Sequence, residues 1–179
     1  MSEFGEVIAA DSVRFERVLP GPIERVWSFL VESDKRARWF CGGETESAVG
    51  GNVEMHFHNA SLSNEPDDPP PEKYKDLPEK MSFSGTVTVF DPPRHLAHTW
   101  DFEGESSEVS YQLSEQDDQV RLILTHRRLG SREEMISVCG GWHTHLDILQ
   151  DVLQEKSPLP FWKRHTPIEA EYVDRINTI

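Results

Sequence analysis

The feature that most limits the fold is a run of apolar residues near the C-terminus at helical spacing. Met135, Cys139, Trp142, Leu146, Leu149 and Leu153 follow one another at intervals of 4, 3, 4, 3 and 4 residues, which places all six on one stripe of an α-helix. Ser131 with Glu134 three residues later reads as a capping box, so the spacing predicts one long helix over 131–155. A stripe of that length needs a large apolar partner. The residues before it supply one: Met81–Phe90, His95–Phe102, Ser107–Ser114 and Gln119–Leu129 read as four β-strands. Turn residues separate them at Asp91-Pro92-Pro93, Glu103-Gly104-Glu105 and Glu115-Gln116-Asp117-Asp118, and such short connections make an antiparallel meander.

Upstream, Val13–Leu19 is β-prone and is stopped by Pro20-Gly21. Pro22 suits a first helical turn, and Ile23, Val26, Trp27 and Leu30 then continue at helical spacing, predicting a helix over 22–31. Asp34 is placed to cap a second short helix through Arg38, which leads into Trp39-Phe40 and stops at Gly42-Gly43. Val53–His58 alternates as a strand with Val53, Met55 and Phe57 on one face. The chain thus divides into an N-terminal extension (1–12), an α+β domain (13–155) and a tail (156–179) in which Thr166-Pro167 starts a short helix through Ile176.

Residues 59–80 change character, with five of the twelve prolines, six acidic residues and three lysines. This composition predicts a polar loop outside the core, mobile or clamped by Tyr74 and Leu77, with a lid over a pocket as the functional alternative. Removal of 62–78 is accordingly expected to leave the fold intact. Gly140-Gly141 within the long helix costs helix propensity that calls for compensation, for which close approach to the sheet is the simplest source and a hinge the alternative.

Composition narrows function. Against 18 Lys and Arg stand 32 Asp and Glu, a formal net charge of −14, and such a field repels nucleic acid. Although only 36% of residues are apolar, five Trp, nine Phe and three Tyr can build a core. No apolar run approaches the roughly 18–20 residues of a membrane span, and Met1–Glu6 lacks the wording of a signal peptide. A soluble cytoplasmic protein is expected, and pairing of two copies is left open. Cys41 and Cys139 have no metal-ligand spacing.

Eight histidines invite a metal site, but their spacing argues against one. His56 and His58 share the outward face of their strand, while His143 and His145 diverge by about 200° on a helix. No cofactor and no metal are expected. Other histidines sit within apolar alternation. Leu96, His98, Trp100 and Phe102 share a face, as do Val120, Leu122, Leu124, His126 and Arg128, with Tyr111 between Val109 and Leu113. Tight turns would set His98 beside Tyr111 and Leu122, set Trp100 beside Val109 and Leu124, and bring Phe102 and His126 together around Ser107.

Arg17-Val18-Leu19-Pro20-Gly21-Pro22-Ile23-Glu24-Arg25-Val26-Trp27 resembles the opening of the activator-of-Hsp90-ATPase-like branch of the START/Bet v 1-like (SRPBCC) superfamily. Trp39-Phe40, the Gly50-Gly51 turn and Gly141-Trp142 followed by Leu146, Leu149 and Leu153 extend the resemblance over residues 13–153. It implies a helix-grip (Bet v 1-like) fold, in which a curved antiparallel sheet wraps a long C-terminal helix and two short helices follow the first strand. It also implies a cavity between sheet and helix, within a superfamily of lipid carriers, hormone receptors, polyketide cyclases and co-chaperone domains. The leading expectation is therefore a binding domain for an apolar or lipid-like small molecule, with a pocket of about 300–1,000 Å³. Trp39, Phe40, His98, Trp100, Tyr111, His126, Arg128 and Trp142 are the candidate ligand-binding residues, Arg128 as a cation for a carboxylate. A cyclase- or aromatase-like enzyme using His98, Tyr111 or His126 is the first alternative, and a co-chaperone acting on Hsp90 the second. Against the latter, the fold is expected to start near residue 13, without space for a further N-terminal domain.

Overall fold

The computed structural model describes residues 3–177. Strands β1 (Glu6–Ala9) and β2 (Ser12–Pro20) lead into helices α1 (Ile23–Val31) and α2 (Ser33–Arg36). Then come β3 (Asn52–Phe57), β4 (Met81–Asp91), β5 (His95–Phe102), β6 (Glu105–Gln116) and β7 (Gln119–Arg127), followed by α3 (Arg132–Leu153) and α4 (Phe161–Asn177). The strands form one antiparallel sheet in the order β1-β2-β7-β6-β5-β4-β3. This is a helix-grip, Bet v 1-like α+β fold.

Helix α3 follows the sequence closely. Ser131 accepts a hydrogen bond from Glu134 N at 3.1 Å, and the Glu134 carboxylate accepts one from Gly130 N at 2.6 Å, which satisfies exposed amides at the helix start. All six stripe residues are buried. They meet inward residues of the sheet such as Phe15, Val109, Leu122 and Leu124 in one continuous core.

The hairpin registers differ from expectation by two residues. His98 pairs with Val109 and Val109 with His126, while Tyr111 pairs with Leu96 and Leu124. The cause lies in the turns. Only Glu103-Gly104 separates β5 from β6, with φ of 52° and 86°, the left-handed pair that two-residue hairpins favour. Only Asp117-Asp118 separates β6 from β7, with Asp117 at φ 55°. A shift of two preserves which face each side chain takes, so the inward sets survive.

The segments flanking the expected domain pack onto it more fully than the sequence suggests. Within the expected extension, β1 pairs with β2, and Phe4 packs edge-on against His143 and Tyr172. The two short helices therefore follow the second strand. In the tail, α4 begins at Phe161 rather than at Thr166-Pro167 and carries Pro167 inside it. Two things offset the lost hydrogen bond. Phe161, His165, Tyr172 and Ile176 form a buried stripe, and the Asp67 carboxylate accepts hydrogen bonds from Trp162 N (2.9 Å) and Lys163 N (3.0 Å). Asp67 thus caps α4 from within the proline-rich segment.

That segment is fastened at further points. Ser63 Oγ donates to the Pro158 carbonyl, Lys163 Nζ donates to that of Pro66, and the Tyr74 hydroxyl donates to Glu169 at 2.5 Å. The Tyr74 ring packs against Trp162 and His165, whereas Leu77 is exposed. The clamp is Tyr74 together with Asp67. The glycine pair also divides its work: a Cβ on Gly140 would lie 3.1 Å from Glu169 Cβ and from His165 Nε2. The close approach is to α4, not to the sheet. A Cβ on Gly141 would meet, beyond its own helix backbone, nothing within 4 Å among the described residues.

Two predictions follow from this packing. Asp67→Ala should destabilise the protein by about 1 kcal/mol, the usual value of a lost cap, measured by urea denaturation. Gly141→Ala should stabilise it by about 0.5–1 kcal/mol through helix propensity, while Gly140→Ala forfeits that gain against α4. Equal effects at the two glycines would refute the asymmetry.

Candidate functional site

A helix lying across a curved sheet leaves space beside its line of contact, and here that space is a cavity of about 710 Å³ open to solvent. Its walls come from the N-terminal half of α3, the inward faces of β4 to β7, the start of α4 and the proline-rich segment. The interior is aromatic. Phe40 lies 4.8 Å from the Trp142 ring, 5.1 Å from Phe57 and 5.1 Å from His145, and Phe83 lies 4.9 Å from Trp100. Phe40 is held there by Arg36, whose buried guanidinium donates to the carbonyls of Cys41, Gly42, Gly43 and Glu54 and to Thr45 Oγ1, at 2.6–3.0 Å. Those bonds fasten the loop after α2 onto β3.

Polar groups enter this lining with fixed geometry. Trp142 Nε1 donates to His126 Nδ1 at 3.0 Å, and His126 Nε2 lies 2.7 Å from Ser107 Oγ. Burial, and then the positive charge His98 would carry, hold His126 down to about 3. His145 donates from Nδ1 to the Trp39 carbonyl at 2.8 Å, which leaves Nε2 with its lone pair; burial holds this ring down to about 4. His165 lies 3.3 Å from Glu169 through Nε2, and its buried Nδ1 has no hydrogen-bond partner among the described residues.

The family described as Activator of Hsp90 ATPase homolog 1-like protein matches residues 20–154, most of the chain. This chain belongs to that family. None of the curated proteins matches it. Among solved structures, the protein encoded by gene BPP1335 of Bordetella parapertussis is similar at 44% identity, with 96% of this chain and 89% of that one covered and a TM-score of 0.78. CalU16 of Micromonospora echinospora shares the fold at 23% identity over 92% of this chain and 88% of its own, with a TM-score of 0.68. So does DynU16, from the dynemicin biosynthetic locus, at 18% identity and a TM-score of 0.65, with 84% of this chain and 49% of that chain covered.

In this member of the Hsp90-activator-like family, the candidate residues fall into two groups. Phe40, Trp100, His126, Arg128 and Trp142 line the cavity. Trp39, His98 and Tyr111 do not. Trp39 is sealed in the core with Nε1 donating to the Phe29 carbonyl. His98 donates from Nδ1 to the Thr99 carbonyl, and burial holds it down to about 4. Burial also pushes the Tyr111 hydroxyl far up, and the two rings, 5.8 Å apart, are shut away from the cavity. Arg128 lies past the end of β7 in left-handed backbone (φ 63°) and is exposed at the mouth rather than inward. Phe57, Phe83, Ser107 and His145, and from α4 Phe161, Trp162 and His165, join the lining. The outward His56 and His58 meet Ser82 and Glu79. Among the described residues no group of three His, Cys, Asp or Glu side chains is placed to hold a metal ion, and no helix is long and apolar enough to cross a membrane.

Four of the five buried histidines of the described residues make a prediction about pH. Burial depresses His98, His143 and His145 to about 4 and His126 to about 3, against about 6.5 in an unfolded chain. Unfolding therefore takes up protons in the interval between. The stability these rings contribute is full above about pH 6.5 and is lost as pH falls towards about 4, at up to about 1.4 kcal/mol per pH unit per ring. Urea midpoints measured from pH 7 to pH 5 should fall steeply. A flat profile over that range would refute neutral burial.

Proposed function

We propose that this chain binds an uncharged, largely apolar small molecule in the cavity between α3 and the sheet. The observation that carries this reading is the lining itself. Aromatic rings wall a space of about 710 Å³, within the usual range for small-molecule sites, and a few polar atoms enter it in fixed orientations. The fold family supports the reading, and DynU16, which shares the fold, comes from the dynemicin biosynthetic locus.

Charge selects against an anionic ligand. Glu79, Glu103, Glu105 and Glu134 border the cavity against the single guanidinium of Arg128, and the whole chain carries −14. Like charges gathered at a cleft repel an incoming anion. Arg128 is outnumbered as a partner for a carboxylate.

Nile red, an uncharged dye whose emission rises in apolar surroundings, is the direct test. It should bind the native protein, and Gly141→Leu, which grows into the open space beside α3, should weaken that binding at least about tenfold while the protein stays folded. An anionic naphthalene sulfonate dye should bind more weakly at low salt than at high salt. Nile red binding that ignores both Gly141→Leu and Val138→Trp would overturn the reading.

A further inference from the structure

We propose that Ser107 selects the ligand of this cavity by donating its hydroxyl proton to a carbonyl oxygen of an uncharged molecule, with Trp142 and His126 as the positioning residues that aim it. The inference rests on the binding function proposed above and gives that ligand a chemical class.

An indole N–H can only donate, so His126 Nδ1, 3.0 Å from Trp142 Nε1, must present its lone pair. A neutral imidazole carries one N–H. It is therefore on Nε2, and Nε2 donates across 2.7 Å to Ser107 Oγ. The opposite tautomer would set N–H against N–H at Trp142. His126 stays singly protonated near neutral pH because burial disfavours the cation.

Ser107 is thus the acceptor in that bond, and its own proton must point elsewhere. Among the described residues its side chain has His126 as its hydrogen-bond partner and no acceptor for that proton. The residue is 6% exposed and lines the cavity. A buried hydroxyl proton without an acceptor is uncommon in folded proteins, and one facing an apolar cavity is matched by a ligand oxygen. Three elements fix its direction: α3 carries Trp142, β7 carries His126 and β6 carries Ser107. Such a donor needs no reorganisation when the ligand arrives, which is where preorganised sites gain affinity.

The test uses 2-acetylnaphthalene and 2-ethylnaphthalene, similar in size and differing at the carbonyl, titrated against the full chain by tryptophan fluorescence. The native protein should prefer the ketone about three- to tenfold. Ser107→Ala should abolish the preference, weakening the ketone relative to the hydrocarbon, and Ser107→Thr, which keeps the hydroxyl, should retain it. Trp142→Phe should reduce the preference, since His126 is then free to adopt either tautomer. The infrared carbonyl stretch of the bound ketone should lie lower in the native protein than in Ser107→Ala. A ketone preference that survives Ser107→Ala would overturn the inference and leave the cavity reading standing. Failure of both compounds to bind the native protein would overturn the cavity reading beneath it.

Discussion

A straight helix laid over a curved sheet can touch it along one line, and that constraint organises this molecule. Here the line is the α3 stripe from Met135 to Leu153, every member of it buried. Near its middle the contact is polar, because Trp142 reaches the sheet through a hydrogen bond to His126. The indole is too large for helix and sheet to close together on its flank. Phe40, tilted, and Trp100, edge-on, pack around it with ring centroids 4.8 and 5.8 Å away, and keep the two layers apart. A protein interior is normally filled. The space beside Trp142 stays open because Gly141, on the same helix, presents no side chain to it.

The open side is bounded by the segments the core does not need. Helix α4 approaches α3 closely because Gly140 removes the one Cβ that would stand between them. Its first turn is then capped by Asp67, so the proline-rich segment and the last helix depend on each other. Tyr74 completes the junction with hydrogen bonds to Glu169 and Ser137 and a ring contact to Trp162. A segment made of proline and acidic residues has little apolar surface to bury. It is held by donors and acceptors instead, at the rim of the cavity.

Much of this was legible in the sequence because periodicity decides which face a side chain takes. The α3 stripe, the alternation of β3 and the inward sets of β5 to β7 all follow from spacing. Register did not follow. It is set by whether Glu103-Gly104 closes a turn in two residues or more, and left-handed backbone at a glutamate is not announced by its neighbours. The start of α4 was hidden for a similar reason. Pro167 reads as a first turn, and the cap that carries the helix back to Phe161 comes from a residue far away in the chain.

The candidate site was legible by half, and the division has a physical cause. Facing inward is a property of a strand's alternation, whereas lining a cavity depends on how far along the strand a residue sits from the helix contact. His98 and His126 both face inward. His98 lies beside Val87 and Val109, deep in the filled core, while His126 lies where Trp142 holds the layers apart. Trp39 and Phe40 are neighbours in sequence and differ in the same way. The Trp39 indole turns to the Phe29 carbonyl, and Phe40 turns to the rings around the cavity. What separates the members of each pair is depth, and depth is fixed by the size of side chains on other elements. Sequence spacing within one element carries no information about it.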